Sequence, residues 1–224
     1  MTYTSKNELT HGLGYGVVFT DPTGLTTGIP IAGLRGIETE TNQENKNFYA
    51  GFNAPYRTIA GAKNTEIKVK SYDLPDSFAT HALGFGAVSG FLTDDAANYK
   101  PYGFAYAERY RDNDGTGYKA TFYPSVQATT PSDTAEADEE SPTGKEYEHT
   151  ATVTTGDFTL GDKKRLFVKF KVSDKDLATG TSGPALAFKK LFTDLKPLTT
   201  PDIFAFASAF VKLSTFCLAR FKAL

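Results

Sequence analysis

Alternation of apolar and polar positions, the period of a strand, recurs along this chain. Leu13, Tyr15, Val17 and Phe19 alternate with Gly and Val and predict a first strand, which Asp21-Pro22-Thr23-Gly24 ends as a turn. Ile29, Ile31, Leu34 and Ile37 follow, spaced by Gly28, Gly33 and Gly36. The pattern then turns polar from Glu38 to Asn47, and Phe48-Tyr49-Ala50-Gly51-Phe52 brings apolar residues back. This predicts a long β-hairpin over 29–52 with its tip at 38–47 and Asn45-Lys46-Asn47 as turn residues. From Thr65 to Tyr72, Ile67 and Val69 face one way and Glu66, Lys68 and Lys70 the other, the pattern of a half-buried strand. Asp73 is placed to cap a short helix that Pro75 opens, running towards Leu83 with Gly84 as its stop.

Residues 84–90 are small and loose, and Asn98 to Tyr102 leads into a second hairpin. One arm sets Phe104, Tyr106, Glu108 and Tyr110 against Ala105, Ala107 and Arg109. The other sets Tyr118, Ala120 and Phe122 against Lys119, Thr121 and Tyr123, with a turn at Asp112–Gly117. Residues 126–148 form an acidic, small-residue loop of the solvated kind. Two strands come next: Tyr147, His149, Ala151 and Val153 share a face of the first, and Leu166, Val168, Phe170 and Val172 a face of the second. Opposite the latter lie Arg165, Phe167, Lys169 and Lys171, beside Lys163 and Lys164. Gly183-Pro184 opens a short amphipathic helix to Lys196. Thr200 as cap and Pro201 at the first position predict another, with Ile203, Phe206, Phe210, Leu213, Cys217 and Leu224 on one stripe. Lys212, Arg220 and Lys222 interrupt it, and its apolar part is too short to span a bilayer.

Composition agrees with the periodicity. Tyr (12) and Phe (18), together with Thr, Val, Gly and Pro, favour strands and turns, so the fold class is mainly β. At 224 residues one large domain would bury roughly 70% of its extended-chain surface. A net charge of −2 lacks the basic excess of a tight nucleic-acid binder. The single Cys217 excludes an internal disulfide framework and a cysteine zinc cluster. The polar start, Met1 to Thr10, has no apolar core of a signal peptide, which points to synthesis and assembly in a cytoplasm.

Candidate chemistry is sparse. His11 falls in the polar arm, His81 in the short helix and His149 on a strand, each at a structural position. Neither a Gly-x-Ser-x-Gly elbow nor a His-Glu-x-x-His zinc helix occurs. Gly84–Gly90 misses the dinucleotide spacing, Pro142–Lys145 lacks the flanks of a phosphate loop, and Asp112–Gly115 lacks the downstream Glu of a calcium loop. No catalytic, cofactor or metal residue is expected, and the chain does not read as an enzyme.

Four features taken in order carry a resemblance. They are Gly12-Leu-Gly-Tyr-Gly-Val-Val18, the glycine-punctuated strand into an acidic stretch, the Phe48-Tyr49-Ala50 return, and the strand ending in Leu74-Pro75-Asp76-Ser77-Phe78. Together they resemble the major tail protein (tail tube protein) family of long non-contractile bacteriophage tails, to about residue 172. The resemblance implies a β-sandwich subunit forming hexameric rings that stack into a tube for DNA ejection. It also implies residence in the virion tail after assembly in a host cytoplasm. The partners would be further copies of the chain, a tape measure protein and tail terminator or baseplate proteins; DNA would pass transiently, and no membrane partner is implied. On this reading 1–11 is an N-terminal arm, 12–196 the tail-tube β-sandwich domain and 197–224 a C-terminal helical extension that departs from the family pattern. Subunit contacts are expected at Arg35, Glu38, Glu40, Glu44, Phe48, Tyr49, Arg57, Lys163, Lys164, Arg165, Lys169 and Lys171, with Arg35, Glu38, Glu40 and Glu44 pairing with the Lys163 to Lys171 block or with Arg57 of a neighbour. The competing class is a β-sandwich module binding carbohydrate or a receptor, with Tyr99, Tyr102, Tyr106, Tyr110 and Tyr123 stacking on sugars; a hydrolase is a third and poorer fit.

Overall fold

A computed structural model describes residues 8–21, 26–49, 55–95, 99–129, 146–160, 163–199 and 201–202. Strands dominate. The main sheet contains β1 (Leu9–Phe19), β2 (Ile29–Pro30), β3 (Leu34–Tyr49), β4 (Pro55–Ser71), β7 (Tyr102–Asp112), β8 (Gly115–Ala128), β9 (Tyr147–Val153) and β12 (Val168–Ser173). Two small ladders stand apart, β5 (Phe85–Val88) with β6 (Phe91–Asp94) and β10 (Thr159–Leu160) with β11 (Lys163–Lys164). Helices α1 (Asp76–Ala82), α2 (Asp174–Thr179) and α3 (Gly183–Phe192) complete the described elements.

The strand order is β2-β1-β7-β8-β9-β4-β3, with β12 also on β8, and every pairing is antiparallel. β8 makes this possible. One of its edges follows β7 along its length, while the other serves β12 over Gly117–Phe122 and β9 over Val126–Ala128. The sheet then folds over on itself, so that β1 and β3, far apart in strand order, come into contact; just past β2, the Ile31 N–H donates to the Gly16 carbonyl at 2.9 Å. A Cβ on Gly16 would stand 2.8 Å from Leu34 Cδ2. The result is sandwich-like, in keeping with the mainly β expectation.

Alternate side chains of the central strands enter two separate cores. Val18, Phe104, Tyr106, Tyr123 and Val126 point inside the sandwich, against Ile67 and Val69 of β4, Ala151 and Val153 of β9, and Phe78 of α1. Val17, Phe19, Ala105, Ala107, Ala120 and Phe122 point the other way, under Ala187, Phe188, Leu191 and Phe192 of α3. Helix α3 can lie flat there because alanines line the sheet beneath it. Ser182 caps it, its Oγ accepting from the Ala185 N–H at 3.3 Å.

The β7–β8 hairpin, the faces of β9 and β12, the helix after Gly183 and the stop near Gly84 (φ +76°) follow the sequence pattern. Other expectations need correction. Strand β3 runs straight through the polar stretch 38–47 and pairs with β4, not within 29–52, so Asn45-Lys46-Asn47 is strand rather than turn. The connection falls between Tyr49 and Pro55. Strand β1 starts at Leu9, which puts His11 in a strand instead of an arm; residues 1–7 lie outside the described residues. Helix α1 has Pro75 at its cap with no side-chain cap bond, so Asp73 does not cap it. Residues 85–94 are a tight hairpin, whose turn Ser89-Gly90 takes positive φ at both positions. The loop within 126–148 is shortened at both ends by β8 and β9, and Arg165, Leu166 and Phe167 precede β12, with Leu166 packed on the sandwich core while Val168, Phe170 and Val172 face the other. The remainder of that loop, 130–145, the cap at Thr200 and the helix expected over 203–224 lie outside the described residues.

His149 stands in the sandwich core, 3% exposed, its ring 5.3 Å from that of Phe78. Its Nε2 lies 3.3 Å from Tyr102 Oη, and its Nδ1 has no hydrogen-bond partner among the described residues. Burial pushes its pKa down to about 4, because an imidazolium there loses water and gains no anion. The folded pKa lies below the unfolded value of about 6.5, so this term is favourable above pH 6.5 and lost as pH falls towards 4. Wild type should lose ~3 kcal/mol more than a His149→Leu variant between pH 7 and pH 4, read from urea unfolding at each pH.

Candidate assembly surface

Only the inner part of β4, Glu66–Ser71, is flanked by β9. Towards Pro55 its sole strand neighbour among the described residues is β3, from Thr41↔Thr65 outward to Tyr49↔Pro55. The outer half of the hairpin is therefore a two-stranded ribbon projecting ~30 Å from the body. Its root is fixed by the buried Thr65, whose Oγ1 lies 3.1 Å from that of Thr41. Further out, Gln43 donates to the Gly61 carbonyl at 3.0 Å and Thr58 Oγ1 to Asn47 Oδ1 at 2.8 Å. Register shifts between Gln43 and Asn45 and between Phe48 and Tyr49 interrupt the ladder. Shifts of this kind bend and twist a ribbon locally.

Apolar side chains collect at the far end, where no core exists to receive them. Tyr56 is 81% exposed and Tyr49 64%, with Phe48 and Ile59 also exposed. Register puts Lys46, Phe48, Arg57 and Ile59 on one face, and the Lys46 ammonium lies 5.7 Å from the Phe48 ring centre. Clustered exposed aromatics of this kind mark a surface that meets another molecule. Beside them the outer edge of β3 has no strand partner among the described residues, leaving a long row of backbone donors and acceptors open to pairing.

The residues expected at subunit contacts fall into three places. Arg35 sits at the ribbon's base, where its Nη1 donates to Tyr72 Oη at 2.6 Å and its guanidinium covers the same ring. Glu38 is exposed opposite Lys68, and Glu40 lies opposite Glu66 while accepting from Asn42 Nδ2 at 3.2 Å. Glu44 belongs to β3, but its side chain, like that of Lys163 in β11, lies outside the described residues. Phe48, Tyr49 and Arg57 share the ribbon's end.

The cationic run is divided between elements. Lys164 approaches Asp157 at 3.5 Å, Arg165 is exposed, and Lys169 stands over the Phe167 ring. Lys171 is engaged within its own chain, 2.6 Å from Asp112 and 3.0 Å from Glu8 and over the Tyr110 ring. Glu8 also pairs with Lys119, and these two lysines hold its carboxyl below the ordinary range. Tyr56 and Ile59 had no sequence signal, since residues 53–64 show no alternation of apolar and polar positions.

The aromatic platform of the competing reading is not at the surface. Tyr102, Tyr106, Tyr110 and Tyr123 are buried in the sheet, Tyr106 stacked on Tyr123. Among the described residues no group of three or more His, Cys, Asp or Glu is placed to hold a metal, and no helix is long and apolar enough to cross a membrane. Compared with known families, residues 10–198 match the family described as phage tail tube protein. No curated protein matches the chain.

Because the ribbon's end touches neither core, its aromatics should matter little to the fold. Tyr49→Ser and Tyr56→Ser are each expected to change unfolding free energy by less than about 0.5 kcal/mol in urea titrations. A loss comparable to truncating a buried core residue would mean the ribbon packs on its own body.

Proposed function

The chain belongs to the phage tail tube protein family, whose role is structural and whose place is the virion, and on that premise we propose that it self-assembles into the tube of a long non-contractile tail. Copies close into rings, hexameric as the family resemblance implies, and the rings stack into the conduit for genome ejection. Assembly takes place in the host cytoplasm, around a tape measure protein and between terminator and baseplate proteins.

One observation supports this reading above the others: the ribbon of β3 and β4 extends beyond the body with exposed aromatics at its end and an unpaired edge along its side. A two-stranded ribbon is marginal alone in water. Seated against the next copy, it gains a hydrophobic surface for Phe48, Tyr49, Tyr56 and Ile59 and a partner for the edge of β3. A contact between different patches of identical copies is heterologous, and such contacts generate closed rings or open stacks. Closure also removes the free edges that make isolated sheets prone to aggregate. The acidic side chains Glu38, Glu40 and Glu44 then supply register and specificity towards cations such as Lys169 and Arg165 on a neighbour. A net charge of −2 suits a conduit, since a wall without basic excess does not retain phosphates.

The register indicates where to cut. Asn42 and Asn64 lie opposite each other, so replacing 43–63 by Asn-Gly closes a two-residue turn and leaves the ladder to β9 intact. This variant should stay folded and soluble and form no tubes in negative-stain microscopy under conditions where wild type does. Tubes of normal appearance from the shortened chain would overturn the proposal, as would wild type remaining a monomer at high concentration. Should the deletion not fold, the Tyr49→Ser/Tyr56→Ser double variant carries the same test with the ladder preserved.

A further inference from the structure

At the end of the sheet where β7 begins and β8 finishes, the α3 side of the molecule holds an open cleft of ≈ 550 Å³. Pro101, Phe122, Pro124, Phe158, Pro197 and Leu198 make it mostly apolar, while Ser125, Asp157 and Thr199 bring polar groups to it. Of the residues lining it, Asp157 alone carries a charge. Its side chain is fully exposed, and so largely is Lys164, 3.5 Å away. Exposed pairs of this kind contribute little, so the carboxylate can take another cation at small cost.

Strand register fixes where the cleft stands relative to the ribbon. Val126 of β8 pairs with Val153 of β9, and the adjacent Thr152 pairs with Glu66 of β4, so the ribbon's root is level with the cleft. β4 and β8 run in the same sense, both being antiparallel to β9. Outward from Thr65 the ribbon therefore follows the direction in which β8 runs back to Gly115, and its end stands ~30 Å beyond that level. A chain's own ribbon thus leads away from its own cleft. A second copy displaced along the strands brings the two together.

Chemistry favours the ribbon's end over the other exposed apolar element. Tyr49 and Tyr56, the most exposed of its aromatics, each join an apolar ring to a hydroxyl, which suits a proline-rich cleft with a few polar groups. Lys46 and Arg57 stand with them, and neither Asn45–Tyr49 nor Tyr56–Ile59 contains a carboxylate. The ribbon's end is therefore cationic where the cleft is anionic. The β5–β6 hairpin also exposes Val88, Phe91 and Leu92, but Asp94 and Asp95 follow them and residues 85–95 include no cation.

We infer that the cleft receives the ribbon of a second copy: Tyr49 and Tyr56 seat against Pro101, Pro124 and Leu198, and Arg57 meets Asp157. This seating presupposes the assembly proposed above and gives its ribbon a receiving surface. Each chain brings a ribbon and a cleft, so the contact is heterologous and repeats from copy to copy.

Two variants, each lacking one half of the contact, test the seating without tubes. Tyr49→Ser/Tyr56→Ser removes the ribbon's aromatics and keeps the cleft; Pro101→Lys/Pro124→Lys puts cations into the cleft and keeps the ribbon. Each alone should remain a monomer by light scattering, and in an equimolar mixture the mass should double. In a Cys217→Ser background, Lys164→Cys in the ribbon variant and Thr58→Cys in the cleft variant should then be joined by a short bis-maleimide. A mixture that stays monomeric overturns the seating, as does a dimer whose cysteines do not link. Should the lysine pair not fold, both cysteines in one otherwise unaltered chain carry the test. With 15N-labelled and unlabelled chains mixed equally, linked peptides of mixed isotope are expected; no link, or links within one chain only, overturn the seating. Wild-type tubes without the dimer sink the seating alone, and the dimer without wild-type tubes sinks the assembly reading alone.

Discussion

The structure depends on one strand having two partners on the same edge. β8 gives its first half to β12 and its last residues to β9, while β7 follows its other edge throughout. This division lets a continuous sheet fold over into a sandwich and still present its outer face to α3. The approach of β12 is close: a Cβ at Gly117 would lie 2.2 Å from the Val172 carbonyl oxygen, so only glycine admits that backbone. Between the two pairings, successive residues Phe122 and Tyr123 enter opposite cores. A one-residue slip would exchange the cores, so burial on both faces specifies register strongly.

That same arrangement determines what can project. β4 is held by β9 only as far as Glu66, and among the described residues β3 has no further strand beyond it. Everything outward from Thr65 is held by two strands and a few side-chain bonds. On the proposed assembly, stability and association would reside in different parts of the molecule: the body is built on two cores, and the ribbon would be the element that gains most from a partner. Regions with few buried contacts open at low free energy, which would suit the proposed seating of the ribbon on another copy.

How far the sequence discloses this follows from where side chains are buried. The β7–β8 hairpin was legible because both arms alternate and Asp112–Gly117 supplies turn chemistry. β3 was misread for the converse reason: Glu38 to Asn47 is solvated on the ribbon, so no apolar member remains to mark the strand period, and a polar run resembles a loop tip. The signals of α2 were present, with Ser173 accepting from the Asp176 N–H and Gly180 in the left-handed region, but six residues with no buried side chain show no helical stripe. Phe48 and Tyr49 stand out in the sequence as aromatics after a polar run, and the structure exposes both, along with Arg57. Lys171 could not be assigned its partners, because Asp112 and Glu8 are brought to it only by the β8–β12 pairing and the start of β1. Alternation finds strands, but long-range pairing decides which charges are already engaged.

The composition of the ribbon suits the proposed assembly. Its middle carries Asn42, Gln43, Lys63 and Asn64, with Glu38 and Glu40 just inward of its root, beside an edge of β3 that has no strand partner among the described residues. Charged and amide side chains flanking an exposed edge oppose indiscriminate pairing. Aromatics are confined to the end, where a small apolar area can supply contact energy without offering a long hydrophobic strand. An apolar middle would strengthen the hairpin yet invite edge-to-edge aggregation before assembly; a polar end would leave a soluble subunit with little to drive it onto its neighbour. On the assembly proposed above, separating the two along one ribbon would make pairing conditional on a partner that also receives Tyr49 and Tyr56. The polar stretch that conceals the strand in the sequence thus also shields a long edge that has no strand partner among the described residues.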